Sequence, residues 1–213
     1  FALRRAALGV LRTVIEGELD LDLSAALERA AAGFEPALRA DQVVRPVFEF
    51  MMERLRGYYL DQGVRTDTFE AVLECRPARP LDFDRRVRAV DAFRQLPEAT
   101  SLAAANKRIR NILKKIETVL PFQVRPDLLA EDAEQALAGQ LVELSSEVVP
   151  LMESGLYGEA LNRLARLREP VDAFFDRVLV MAEEPALRDN RVALLNELGS
   201  LFLRVADFSR LQD

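Results

Sequence analysis

Residues Leu102–Glu117, LAAANKRIRNILKKIE, decide how this chain reads. Ile109, Ile112, Leu113 and Ile116 recur at helical spacing and give one apolar face. Lys107, Arg110, Asn111 and Lys114 fall on the opposite side, flanked by Arg108 and Lys115. One helix therefore presents five cations and an amide over about two to three turns. Lys114 and Lys115 lie in its last turns, where the helix dipole favours positive charge.

That helix is the centre of a basic island. Between residues 76 and 125 stand Arg76, Arg79, Arg85, Arg86, Arg88, Arg94, Lys107, Arg108, Arg110, Lys114, Lys115 and Arg125, against Asp82, Asp84, Asp91, Glu98 and Glu117. The island carries +7, and the rest of the 213 residues carry −13, giving the net −6. All the lysines of the chain lie inside it. A sequence pI near 5.0 argues against a polyanion partner. Local potential argues the other way, because a phosphate feels charges within about 8 Å at physiological salt. The basic face reads in two ways: as a solvated surface that answers an acidic neighbour, or as a rail for nucleic-acid phosphates.

Composition removes several classes of function. Histidine is absent, which excludes His-based triads and His-ligated zinc or iron. The single cysteine, Cys75, permits no internal disulfide or Cys-rich metal site and reads as a small apolar filler in a reducing compartment. Neither a phosphate loop nor a dinucleotide fingerprint occurs. Asp82 and Asp84 read as a helix start, and Asp20 and Asp22 lack a third ligand. The spacing offers no candidate catalytic residue and no metal site. No apolar run approaches the roughly 20 residues of a membrane span, and FALRR lacks the layout of a signal peptide. The expectation is a soluble cytoplasmic protein without membrane contact. It begins at Phe1, which suggests a piece of a longer chain.

The fold class expected is all-α, with no strand and no repeat. Helices are predicted over 1–16 (stripe Leu3, Ala7, Val10, Leu11, Val14), 23–32 (closed by Gly33), 41–61 (stripe Val44, Phe48, Met51, Met52, Leu55) and 66–75. Asp41 can cap the third, or Pro46 can start it. Arg76-Pro77-Ala78-Arg79-Pro80 is the best internal boundary, since two prolines in four residues stop a helix. It divides a helical segment, 1–78, from a helical unit, 79–213. In the latter, helices are predicted over 82–95, 98–118, 130–153, 158–168, 170–183 and 186–211. The helix over 130–153 is acidic, with seven acids and no base between Pro126 and Leu156, so its polar face must be solvated or meet a basic neighbour. The last helix carries Leu187, Leu194, Leu195, Leu198, Leu201, Phe202, Val205 and Phe208, and its Gly199 suggests a close helix crossing.

A second candidate site is the junction within VDAFFDRVLVMAEEPALRDNR, Val171–Arg191. Phe174 and Phe175 diverge by about 100 degrees on a helix, so one is core and the other partly exposed. Arg188, Asp189, Asn190 and Arg191 crowd the first turns after Pro185, where arginine opposes the dipole. Ion pairs with Glu183, Glu184 or Asp189 would hold them; so would an RNA backbone. Single-stranded RNA is read by stacking and by bonds to base edges, and the junction offers Asn, Asp, Arg and Phe together.

Three blocks then resemble the β subunit of bacterial glycyl-tRNA synthetases: FALRRAALGVLR (1–12), FDRRVRAVDAFRQLPEATSLAAANKRIRNILKK (83–115) and PVDAFFDRVLVMAEEPALRDNRVALLNELGSLFLRVADFSRLQ (170–212). The resemblance implies the carboxy-terminal third of that subunit, in an α2β2 enzyme whose α subunit holds the site for ATP and glycine. It implies no cofactor in this piece. It also implies a tail similar to the helical anticodon-binding domain of arginyl-tRNA synthetase, clearest over Ala186–Leu195, and an upstream HD-like domain of which residues 1–12 are the trailing end. The expected partners are glycine tRNA and the α subunit. The residues expected to touch tRNA are Lys107, Arg108, Arg110, Asn111, Lys114, Lys115, Arg188, Asp189, Asn190 and Arg191. Glycine anticodons carry cytosines, whose amino groups want acceptors, so Asp189 and Glu184 are the candidate base readers. The rival expectation is a non-catalytic module for α/β assembly.

Overall fold

The computed structural model describes residues 2–34, 39–116 and 123–212, without the side chains of Ala40 and Asp41. Eleven α-helices and three 3-10 turns form among them, and no strand does. The fold is all-α.

Helix α1 spans Ala2–Glu16 and buries Ala7, Leu11, Val14 and Ile15. Its stripe is rotated from the predicted one: Leu3 and Val10 face outward, at 79% and 46% exposure. α2 (Leu23–Ala32) begins at Asp22, whose carboxylate accepts from the Ala25 N–H at 2.9 Å. The predicted helix 41–61 divides into α3 (Ala40–Glu53) and α4 (Leu55–Leu60). The Arg54 N–H turns to the Met51 carbonyl three residues back, and the coil tightens there. α3 starts ahead of Pro46 and runs through it, while the cap predicted at Asp41 lies outside the described side chains. α5 covers Thr66–Glu74.

α6 (Pro80–Phe93) starts on its proline, whose fixed φ suits a first helical turn. α7 spans Ala99–Leu113, with Pro97 in the turn before it; it ends earlier than predicted, with Lys114 at its C-cap and Lys115 and Ile116 past it, while positions 117 and 118 lie outside the described residues. α8 (Asp132–Glu153) opens with a capping box, because Glu131 accepts at its start and the Glu131 N–H donates to Glu134 Oε2 at 2.7 Å. α9 (Tyr157–Leu164) and the 3-10 turn Ala165–Leu167 lead into α10 (Arg168–Arg177). Pro170 sits in the first turn of α10, where its missing N–H interrupts no bond within that helix. α10 stops six residues short of the predicted end. Val178 is extended, and it and Val180 turn inward to the core. α11 (Pro185–Leu203) also ends early, because Asp207 leaves the helix and its N–H bonds to the Ala71 carbonyl at 2.9 Å. A 3-10 turn at Phe208–Arg210 follows.

One apolar core runs from Ala7 to Leu211 and passes the Arg76–Pro80 segment without a gap. α1 and α5 both pack on α6, and the Leu23 N–H donates to the Ala78 carbonyl at 3.0 Å. α7 lies against α10, α11 and the turn at 208–210, with Leu102, Ala105 and Ile109 inward. The crossing with α11 is close, as predicted: a Cβ on Gly199 would stand 3.2 Å from Ile109 Cγ2. Packing on one face of α7 therefore fixes which of its cations face water.

Candidate nucleic-acid interface

Among the described residues, six of the twelve cations of the basic island form ion pairs with carboxylates. Arg79 meets Asp20, Arg86 meets Asp82, Arg88 meets Asp84, Arg94 meets Asp67, Arg110 meets Asp207 and Arg125 meets Asp127. Arg86 also donates to the carbonyls of Arg204 and Val205, closing the end of α11, and lies 4.5 Å from the Tyr157 ring. Burial, with Asp82 accepting from the phenol, pushes the Tyr157 pKa up to about 12.

Of the other six, Arg76 and Arg85 lie away from α7, and four lie along its second half and just past its end. Lys107, Arg108, Lys114 and Lys115 are exposed, and none of them forms an ion pair among the described residues. Lys107, Arg108, Asn111 and Lys115 line one shallow depression of about 410 Å³ with Ala104 and Ile112. Lys114 turns to the neighbouring cleft of about 660 Å³ between α7, α11 and the 208–210 turn, floored by Ile109 and Gly199. The structure thus spreads the predicted basic face over more than one concavity, because Lys107 also lines a cleft of about 770 Å³ with Asp67, Glu70 and Arg210. The acidic helix does not answer it. Glu143 and Glu147 of α8 pair instead with Arg163 and Arg166.

Three predicted contact residues are engaged within the protein. Arg110 is half-buried; its guanidinium pairs with Asp207 and donates to Ser209 Oγ at 2.8 Å, clamping the 208–210 turn to α7. Asn190 is buried: its Oδ1 accepts from the Arg125 N–H at 2.7 Å and its Nδ2 donates to the Arg125 carbonyl at 3.1 Å. Arg191 is buried against Glu134 and donates to the Leu179 carbonyl at 2.8 Å. These are corrections to the sequence reading. Each side chain was polar enough for RNA, but the fold uses it to hold a loop or to neutralise an interior carboxylate. Arg188 and Asp189 stay nearer solvent and lie 3.4 Å from one another, and Glu184 is exposed. No hydrogen bond or ion pair among the described residues joins them to the α7 cations.

Sequence reasoning missed one feature. Phe174 is buried and Phe175 half-buried, as their divergence predicted. The Phe175 ring also carries the Arg108 guanidinium at 4.2 Å, a meeting of α7 and α10 that no local spacing encodes. Cys75 fits the filler role: its Sγ–H points at the Leu203 carbonyl, and burial raises its pKa to about 11, away from thiolate chemistry. No group of His, Cys, Asp or Glu among the described residues could hold a metal ion. No described helix is long and apolar enough to cross a membrane.

Comparison with known proteins gives the class of this strandless fold. Residues 102–204 match the family model for the DALR anticodon binding domain. Residues 1–74 match the model for the glycyl-tRNA synthetase beta subunit. The whole chain is 55% identical over 212 residues to the glycine–tRNA ligase beta subunit of Aeromonas hydrophila. It is 53% identical to that of Pasteurella multocida and 51% identical to that of Aliivibrio fischeri. Over its whole length the chain is thus similar to the glycyl-tRNA synthetase beta subunit. It spans 31% of the length of these curated relatives.

Proposed function

We propose that this chain is the part of a glycine–tRNA ligase beta subunit that grips the anticodon arm of glycine tRNA. The observation that carries this reading is the coincidence of two things. The match to an anticodon-binding domain covers 102–204, and the four cations at the end of α7 that form no ion pair among the described residues lie inside that span. Phosphate contacts from Lys107, Arg108, Lys114 and Lys115, with Asn111 beside them, supply affinity. Arg188, Asp189 and Glu184, at the solvent-facing start of α11, are the candidates for base discrimination. Arg110, Asn190 and Arg191 support the site from behind. Residues 79–213 form the tRNA-binding unit, and 1–78 brace it from the upstream body of the subunit. In the complete α2β2 enzyme the α subunit binds ATP and glycine and activates the amino acid. The enzyme works in the cytoplasm, and this piece contributes no catalytic group.

The test is the triple variant Lys107→Ala/Lys114→Ala/Lys115→Ala, titrated with glycine tRNA over a range of salt. Binding weakens for every tRNA sequence, and the slope of log affinity against log salt flattens by about 0.7 to 0.9 for each phosphate that is no longer neutralised. Unchanged binding by a folded variant would refute the rail. That result would favour a second reading, a docking module for the α subunit, for which the outward Leu3 and Val10 of α1 and the exposed Leu179 and Met181 speak.

A further inference from the structure

The tRNA reading leaves open what Arg108 does that a lysine could not. Arg108 differs from the other free cations of α7 in having one face already occupied. Its guanidinium lies 4.2 Å from the centre of the Phe175 ring. Phe175 is itself held, edge to face, by the buried Phe174, with centroids 5.5 Å apart and planes at 79°. A chain of contacts from the core therefore fixes a flat cation at the surface. The nearby carboxylates do not engage it. Asp172, one turn before Phe175, accepts from Ser101 Oγ at 2.6 Å and pairs with Arg168 at 3.6 Å. Asp176 is exposed and forms no ion pair among the described residues.

A guanidinium so placed has given up much of its rotamer freedom before any ligand arrives, is weakly hydrated, and offers a second flat face to solvent. Unstacked bases settle on such planes in RNA recognition, whatever their identity. Lys107, Asn111 and Lys115 line the same depression as Arg108, about 410 Å³ in volume, where the phosphate of that nucleotide would lie. We propose that the Arg108–Phe175 pair is a seat for one unpaired nucleobase, stacked on the outer face of the guanidinium, with its neighbouring phosphate held by Lys107, Asn111 and Lys115. The proposal rests on the tRNA-binding reading and adds to it a site that recognises a base plane rather than a charge. Phe175 is a positioning residue in this arrangement, and Arg108 makes the contact.

Arg108→Lys tests it, because it keeps the charge, removes the plane and alters only an exposed side chain. The probe is a fluorescently labelled stem–loop RNA with the anticodon arm of glycine tRNA, its loop nucleotides replaced one at a time by abasic residues. In the unaltered protein one abasic position should weaken binding about tenfold, the scale of a single base–side-chain stack. In Arg108→Lys the penalty at that position should fall below about twofold, while the salt slope stays as it was. Phe175→Leu should move in the same direction, with folding checked by its melting curve. The seat is overturned if the abasic profile is the same in Arg108→Lys as in the unaltered protein. It is also overturned if that variant binds more weakly by the same factor at all positions with a shallower salt slope, which would make Arg108 a phosphate contact. Should the lysine triple variant bind weakly while Arg108→Lys keeps its abasic profile, only the seat falls. Should the stem–loop fail to bind the unaltered protein, the anticodon-arm reading falls with it.

Discussion

The end of α7 and the start of α11 carry nearly the same side chains and do opposite things. Each packs arginine or lysine beside asparagine within two turns of helix. At α7 the cations reach water without carboxylate partners among the described residues, apart from Arg110. At α11 Asn190 and Arg191 are interior, tied to Arg125 and Glu134. The difference lies in what packs against each helix. The outer face of α7 borders a shallow depression open to solvent. The inner face of α11 at Asn190 and Arg191 is covered by Arg125 and by α8, whose Glu134 is fully buried. Glu134 uses one oxygen to cap α8 and the other to hold Arg191. A polar residue is thus available to a ligand only where the fold has left it unspent.

The comparison breaks most readily at Arg191. Arg191→Met leaves the Glu134 carboxylate buried without its countercharge and should lower stability by about 3–5 kcal/mol in urea unfolding. Adding Glu134→Gln, which keeps an oxygen for the cap, should recover much of that loss. A loss below about 1 kcal/mol for Arg191→Met would mean that the start of α11 is solvated after all. Asn190→Ala is the next largest. It strips the N–H and carbonyl of Arg125 of their partners, which corresponds to about 1–3 kcal/mol. Amide exchange at Arg125 should accelerate, and exchange in α7 should not. The smallest effect on folding belongs to the triple lysine variant of α7, whose melting curve should match the parent to within about 0.5 kcal/mol while its RNA affinity drops. A large loss of stability there would show that these lysines are structural, and the contrast between the two helices would vanish.

Much of the fold was legible beforehand because helix signals are local. Gly33 closes α2 and Pro185 opens α11 as predicted, and Gly199 marks the crossing with Ile109; α6 starts at Pro80, two residues before the predicted start. The misses came where a distant partner overrode a local pattern. α11 stops short of its apolar stripe because Asp207 is drawn to Ala71 and Arg110. The α1 stripe is turned because α1 rests on α6 with Ala7 and Leu11 rather than Leu3 and Val10. The candidate site was half legible. The basic island stood out as composition, yet half its charges are neutralised, one of them by Asp207, which is 97 residues away from Arg110 in the chain.

The amino-acid sequence by itself determined that the chain is helical, where most helices begin, and that one net-positive stretch interrupts an acidic chain. Periodicity of 3.6 residues and capping chemistry act within a turn or two, so they need no knowledge of the rest. Only the tertiary structure decided which cations lack partners among the described residues, that the Arg108 guanidinium lies over the Phe175 ring, and that Asn190 and Arg191 face inward. Charge pairing and burial depend on separations of a few ångströms between segments far apart in the chain, and those distances exist only after the helices have packed.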